Sequence, residues 1–423
     1  MGKLESQENT RSETVVNVAS FFIIAVGGLA FNLIIAATYG PSGAGVFNQV
    51  FAFALLFSHF STFGVQRAAL HFLSAHRDEA KVCSVILMTS LVAVIVFFAF
   101  ALVVGLLISP LIKFAYGSND VYRGFLVMLP GVLFFSANKV LILSLNALKR
   151  PRQTAIARSS RLILINVVLV ALVYARVPVW SIPLCLVFGE LLLTCLLLFF
   201  LRDMISMEAA RGIPQWHKKV LAFGRKSFLG GALSDINTRV DILILGLFTN
   251  DALVGVYSIA AMFAEGFLEV LNIIRYIVNP RFHAIYTSEG NLALESFLKK
   301  WRNNTFILVG AIAAISIALY PFVVGMLFSD EAFLQGWTAY SILAIGYFLC
   351  SGYRVLDLIP NQLGEPFLQT SYSIVQAASN FFLNLCLIPL YSIEGAAIAT
   401  ALSFIVSASY LVSIIRKKFE LRI

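Results

Sequence analysis

The sequence predicts an all-α polytopic membrane protein, with about twelve transmembrane helices in two six-helix lobes related by an internal repeat. Three observations carry this. The composition is strongly apolar, the apolar residues form continuous runs long enough to cross a bilayer, and the basic residues collect in alternate loops.

Of the 423 residues, 59% are hydrophobic and 13% are charged, with a mean hydropathy of +0.87. A water-soluble surface cannot be built from such a composition without large sticky patches. The apolar runs reach the 18 or so residues that span a hydrocarbon core of about 30 Å. They are continuous and do not alternate, so each backbone polar group is satisfied within a helix and a barrel is excluded.

Spans are expected near 15–38, 46–66, 82–108, 124–146, 160–175, 182–201, 227–248, 255–279, 303–328, 338–358, 367–388 and 395–415. The apolar stretch after the polar N-terminus is longer than a signal-peptide core of about 7–15 residues, and reads as the first span. If both termini are cytoplasmic, the 31 basic residues sort unevenly: Lys113, Arg123 and Arg176 fall outside, five lie within spans, and 23 are cytoplasmic. That bias is the topological signature of a cytoplasmic face, and it accounts for the net charge of +9 without nucleic acid. The outside segments are then 40–45, 110–122, 176–181, 249–254, 329–337 and 389–394.

Residues 202–226 form the one long connector of mixed composition, basic and apolar by turns, and read as an interfacial helix. They divide the chain into a lobe at 1–201 and a lobe at 227–423. The lobes repeat. Gly45-Val46-Phe47 recurs as Gly255-Val256-Tyr257 at an offset of 210, and Pro110-Leu111 as Pro321-Phe322 at 211. Gly131, Lys139-Val140-Leu141, Asn146, Leu148 and Pro151 recur as Gly346, Arg354-Val355-Leu356, Asn361, Leu363 and Pro366 at 215. Six spans per lobe is even, so the repeat is parallel, a transporter plan with the substrate path between the lobes.

Ionisable groups inside a span are costly and mark function by default. Span 7 carries Ser234, Asp235, Asn237, Thr238, Arg239 and Asp241, with Asp235 and Arg239 one turn apart on one helical face. Span 8 carries a polar stripe of Ser258, Glu265, Glu269, Asn272, Tyr276 and Asn279, with Arg275 at its edge. Two readings of Glu265 and Glu269 stand: a carboxylate pair sharing a proton, or two acids each paired with a cation on another span. Asp235, Glu265 and Glu269 are the ion-coupling candidates. Lys139 and Arg354, as repeat mates, are expected at matching depth. With Arg239 and Arg275 they form the candidate anion-binding set, and Asn380 and Asn384 on span 11 suit sugar hydroxyls or interhelical hydrogen bonds.

The five cysteines lie in apolar runs with no CxxC and are expected to be small buried residues. No nucleotide-binding loop, HExxH or nucleophile elbow occurs, so no cofactor, metal or enzymatic activity is expected.

Three pairs of stretches give the sequence a family resemblance: Tyr39-Gly40-Pro41-Ser42-Gly43-Ala44-Gly45-Val46-Phe47 with Phe63-Gly64-Val65-Gln66-Arg67; Arg239-Val240-Asp241-Ile242-Leu243-Ile244-Leu245-Gly246 with Gly255-Val256-Tyr257; and Ile388-Pro389-Leu390-Tyr391 with Gly395-Ala396-Ala397-Ile398-Ala399-Thr400. In order and spacing they resemble the O-antigen and polysaccharide flippases (Wzx-type) of the multidrug/oligosaccharidyl-lipid/polysaccharide exporter superfamily. The resemblance implies a bacterial inner-membrane flippase in polysaccharide or lipopolysaccharide O-antigen biosynthesis. Its substrate would be an undecaprenyl-pyrophosphate-linked oligosaccharide, its setting the membrane lipids, and its partners a polysaccharide polymerase and chain-length protein. Two alternatives remain: a multidrug exporter of the same superfamily, and a membrane glycosyltransferase or polymerase. The latter usually needs a large outside loop, whereas the longest here is 109–123.

Overall fold

The computed structural model describes the backbone of residues 2–205 and 211–421; side chains at 2–18, 21, 229–236, 276, 280 and 283 are not described. Ser234, Asp235 and Tyr276 therefore lie outside the described side chains. Every regular element among the described residues is helical.

Helix α1 (Gly2–Thr62) contains two helical runs joined at Gly40, whose φ of 68° and ψ of −170° break the helix. Glycine reaches that φ without penalty, and Pro41 behind it has no N–H to leave unpaired at a new helix start. Helix α2 (Val65–Ala75) follows a second break, where Phe63 and Gly64 both have positive φ. Then come α3 (Ala80–Tyr116), α4 (Asn119–Ala147), α5 (Pro151–Tyr174) and α6 (Leu184–Phe200). The loop expected at 109–123 is almost absent: α3 runs to Tyr116, and Ser118 caps α4 by accepting from the Val121 N–H at 3.3 Å.

Residues 213–226 of the expected connector and the first part of span 7 are one helix, α7 (Ile213–Asn237). Span 7 itself is broken at Thr238–Arg239 and resumes as α8 (Val240–Phe248). Two 38-residue helices follow, α9 (Asp251–Ser288) and α10 (Gly290–Leu327). At about 1.5 Å per residue each is close to twice the length of the hydrocarbon core, so their ends project into water. Span 10 is α11 (Gly336–Arg354), followed by a turn and the short α12 (Ile359–Gln362). Helix α13 (Pro366–Phe419) holds the last two apolar runs, separated at Ser392, whose φ of 52° falls within the expected turn at 389–394.

Among the described residues, nine helices are long and apolar enough to cross a membrane. Two of the nine, α1 and α13, each carry two runs across a kink. The chain forms two compact units: unit 1 is Met1–Thr38 with Gln49–Ala232, and unit 2 is Tyr39–Asn48 with Leu233–Ile423.

Each unit is organised around one central helix. In unit 1, α4 packs against α2, α3, α5 and α6. In unit 2, α11 packs against α9, α10 and α13. The sequence repeat reappears as packing inside each unit. A Cβ on Gly131 of α4 would meet the Val187 side chain of α6 at 2.8 Å, and one on Gly346 of α11 would meet Ala401 of α13 at 2.5 Å. Small residues let helices approach closely where lipid supplies no hydrophobic drive for association. Lipid instead receives outward apolar faces, such as Phe100, Leu107 and Phe114 on α3 and Ile307, Phe322 and Met326 on α10.

The cysteines form no disulfide among the described residues; Cys83, Cys185 and Cys350 are buried as expected, whereas Cys195 and Cys386 are exposed. Both stand on outward faces of apolar helices, where a small apolar thiol is compatible with lipid.

Candidate functional site

Unit 1 brings a cation expected from the sequence together with a buried acid that the sequence reading passed over. Lys139 lies in mid-helix on α4. Its ammonium donates to the Ser58 hydroxyl at 2.9 Å and sits 5.1 Å from the centre of the Phe135 ring, one turn earlier. The guanidinium of Arg161, on α5, lies over the same ring at 4.4 Å. Arg161 donates from Nε at 2.6 Å and pairs through Nη2 at 2.5 Å, both to Oε1 of Glu190 on α6, whose side chain is 0% exposed. Asn138 donates to the other carboxylate oxygen of Glu190 at 2.8 Å, and Thr194 donates to the Asn138 oxygen at 2.9 Å. Three helices are thus tied through one carboxylate with both oxygens occupied. A buried charge is tolerated on those terms and costly on any others.

In unit 2 the break in span 7 organises the polar groups. A helix interrupted within the membrane releases backbone groups that must find partners. Asn380 on α13 donates its amide to the Asn237 backbone carbonyl at 3.3 Å and to its side-chain oxygen at 3.1 Å. Asn384, one turn on, donates to the Asn380 oxygens at 2.8 Å. Both asparagines are buried. Beyond the break, Asp241 accepts from the Ile242 N–H at 2.9 Å and from the Tyr257 hydroxyl at 2.5 Å. In this conformation, then, Asn380 braces the end of the broken helix and Asn384 braces Asn380. They offer a sugar little surface.

Arg239 stands at the break itself, with its Nη1 3.5 Å from Glu265 Oε1 on α9. Glu269, one turn further along α9, is exposed. Glu265 thus faces a cation from the broken span in this conformation. Arg275 bonds the Asn272 oxygen at 3.2 Å and Asp357 at 3.0 Å, so the acid nearest Arg354 in sequence is engaged by Arg275. Arg354 stacks 4.4 Å from the Phe404 ring centre and is the last residue of α11, so it differs from mid-helix Lys139 in local setting.

Outside the apolar spans, Arg150 bonds Asp203 at 2.5 Å. That hydrogen bond holds the Asp203 carboxyl below its usual range.

Long membrane-crossing helices with ion pairs inside the spans make this a multi-pass membrane protein, and solved structures share its fold. The lipid II flippase MurJ in its inward closed conformation matches with a TM-score of 0.77 at 15% identity, covering 95% of this chain and 88% of that one. An inward-facing multidrug resistance transporter of the MATE family, in the MOP superfamily, matches with a TM-score of 0.69 at 13% identity, covering 96% and 99%. At these identities the likeness is one of fold.

The chain belongs to the polysaccharide biosynthesis protein family, which it matches over residues 34–333. A curated relative, the probable low-salt glycan biosynthesis flippase Agl15 of Haloferax volcanii, is 25% identical over 185 residues, 43% of this chain. The matched stretch spans 39% of that relative's length.

Proposed function

We propose that the protein is a flippase. It carries a polyprenyl-pyrophosphate-linked oligosaccharide from the cytoplasmic to the outer leaflet of a prokaryotic plasma membrane by alternating access. The family match over most of the chain, on a fold shared with lipid and drug transporters, carries the reading. The chemistry inside the spans supports it. Unit 1 holds Lys139, and unit 2 holds Arg239, Arg275 and Arg354, all part-buried, and such cations suit a phosphate-bearing lipid. Glu265, Glu269 and Asp235 are the groups we assign to ion coupling.

On this reading the chain is a transporter and performs no bond chemistry. Both termini are cytoplasmic, and its neighbours are membrane lipids and the polymerase and chain-length proteins that use the flipped product. The multidrug reading shares the fold, but a cationic cargo suits part-buried cations, in either unit, less well than an anionic one does.

The test is made in cells lacking the protein. Lipid-linked oligosaccharide is expected to accumulate in the inner leaflet, where externally added glycosidase cannot reach it, and re-expression should restore cleavage. Full external cleavage in the deletion strain would remove the flippase reading.

A further inference from the structure

Helix α3 marks a membrane boundary in unit 1. Its exposed large apolar side chains begin at Val92 and end at Phe114. At about 1.5 Å per residue that is a rise of about 33 Å, close to the depth of a hydrocarbon core. The turns before Val92 carry Lys81 and lie on the face we assign to the cytoplasm.

The first part of α7 runs beside this boundary, seated on α2. Val220 is fully buried with Val65 and Ala68. Trp216 stands edge-on to Phe72 and His76, with ring centres 5.5 and 5.2 Å away, and the Lys219 ammonium lies 4.6 Å from the Trp216 ring centre. Against α3 the closure is incomplete. A groove of about 150 Å³ remains, with Val92, Ala93 and Val96 on one wall and His217 and Leu221 on the other. Val92 and Val96 are exposed members of the apolar belt, so the groove opens to lipid at the edge of the bilayer.

The rim of this groove is basic. Residues 211–226 include Arg211, Lys218, Lys219, Arg225 and Lys226 and no acid. Lys218, Leu221 and Arg225 follow spacings of three and four, so both cations share the helix face of a groove-lining residue, and both are exposed. Lys219 is turned the other way, onto Trp216. His217 donates from Nδ1 to the Pro214 carbonyl at 2.8 Å, which leaves its Nε2 for another partner.

An apolar slot with cations on its rim suits a molecule that carries both a hydrocarbon chain and negative charge. A free anion has no use for the slot, and a neutral lipid has none for the rim. We infer that the groove between α3 and α7 binds an anionic glycerophospholipid. One acyl chain lies along Val92, Ala93 and Val96, and the phosphate lies beside Lys218. The inference does not depend on what the protein transports.

The test is native mass spectrometry of the purified full-length protein with phosphatidylglycerol or phosphatidylcholine of the same chain length, which reads bound lipid and oligomeric state together. The parent is expected to hold one phosphatidylglycerol about fivefold more tightly than phosphatidylcholine. Lys218→Gln should bring the two lipids within about twofold, whereas Lys219→Gln, with the same change of charge, should keep the preference. Ala93→Leu narrows the groove and should weaken both lipids at least about threefold. Val96→Ser, at the exposed mouth, should weaken both in the same direction and is the second groove variant should Ala93→Leu fail to fold. Excess glycerol phosphate should not displace the bound lipid.

A parent without the preference overturns the site, as does equal loss in Lys218→Gln and Lys219→Gln, which would mean diffuse attraction. Displacement by glycerol phosphate would make it a free-anion site and overturn the lipid. Unchanged lipid binding in a folded groove variant overturns the slot. A parent that is dimeric where the groove variants are monomeric would give the groove to a second copy of the chain.

Discussion

Gly255→Ala tests the closest helix approach in unit 2. The first turns of the second run of α1 and of α9 cross at Gly45 and Gly255, which are repeat mates. A Cβ on Gly255 would lie 1.8 Å from the Pro41 carbonyl oxygen, and one on Gly45 would lie 1.7 Å from that of Asp251. Carbon and carbonyl oxygen approach to about 3.3 Å even in the tightest recurring contacts, so the helices must part by roughly 1.5 Å. A gap of that size forfeits more than half of the local dispersion energy, and forced insertion of a methyl group costs about 1–3 kcal/mol. Replacing a helical glycine with alanine returns about 0.5–1 kcal/mol, which leaves a net loss of about 1–2 kcal/mol.

The same helix supplies the control. Gly266 is exposed and has nothing within 4 Å of its added Cβ, so Gly266→Ala should be neutral or gain about 0.5–1 kcal/mol. Denaturant unfolding in mixed micelles should therefore separate the two variants by about 2 kcal/mol, with Gly255→Ala the weaker. Equal stability, or a more stable Gly255→Ala, would refute the close approach.

Three further outcomes are expected. The unbroken 29-residue helix α4 separates Ser118 from Arg150, so an impermeant thiol reagent added outside should label Ser118→Cys and not Arg150→Cys; labelling at both positions would contradict the topology. The Glu265→Gln/Glu269→Gln variant, inserted and folded, should transport with altered pH dependence, and an unchanged profile would make these acids structural. The carboxyl of Asp203 is held low by Arg150, so its stabilising contribution is present above about pH 4 and is lost as pH falls through the depressed value. Asp203 is half exposed, so the stability difference between parent and Asp203→Asn should stay below about 1 kcal/mol near neutrality and shrink in acid; a difference that grows below pH 4 would contradict the sign.

The helical plan was legible because a bilayer forces long continuous apolar runs, and because glycine and proline mark the breaks in α1 and α13. The repeat was legible because Gly131 and Gly346 serve the same helix crossing in each unit. The break at Thr238–Arg239 was not legible, since no glycine or proline stands there; its support comes from Asn380, far away in sequence. The difference between Lys139 and Arg354 had a visible cause. Pro360 stands six residues after Arg354 where Leu145 stands six after Lys139, and a proline has no N–H for the carbonyl four residues back and clashes with it, so the helix cannot run on unbroken past Leu356. Glu190 was also visible, as the lone acid in an otherwise apolar span. Glu190 neither recurs between the lobes nor belongs to a polar stripe, the two patterns that single out the other charges. Its partners, Asn138 and Arg161, are brought to it only by the packing of α4, α5 and α6.

The most direct measurement is translocation by the purified protein in liposomes carrying a polyprenyl-diphosphate-linked oligosaccharide in both leaflets. Glycosidase added outside cleaves the outer pool at once, and the inner pool becomes cleavable only as it is flipped. The account expects the parent protein to drive cleavage of the inner pool well beyond the protein-free rate. Lys139→Ala and Arg354→Ala should slow it, and Lys139→Arg should retain more activity than Lys139→Ala. An inner pool that stays protected in the presence of folded parent protein, in liposomes where the same protein moves a cationic drug, would contradict the account.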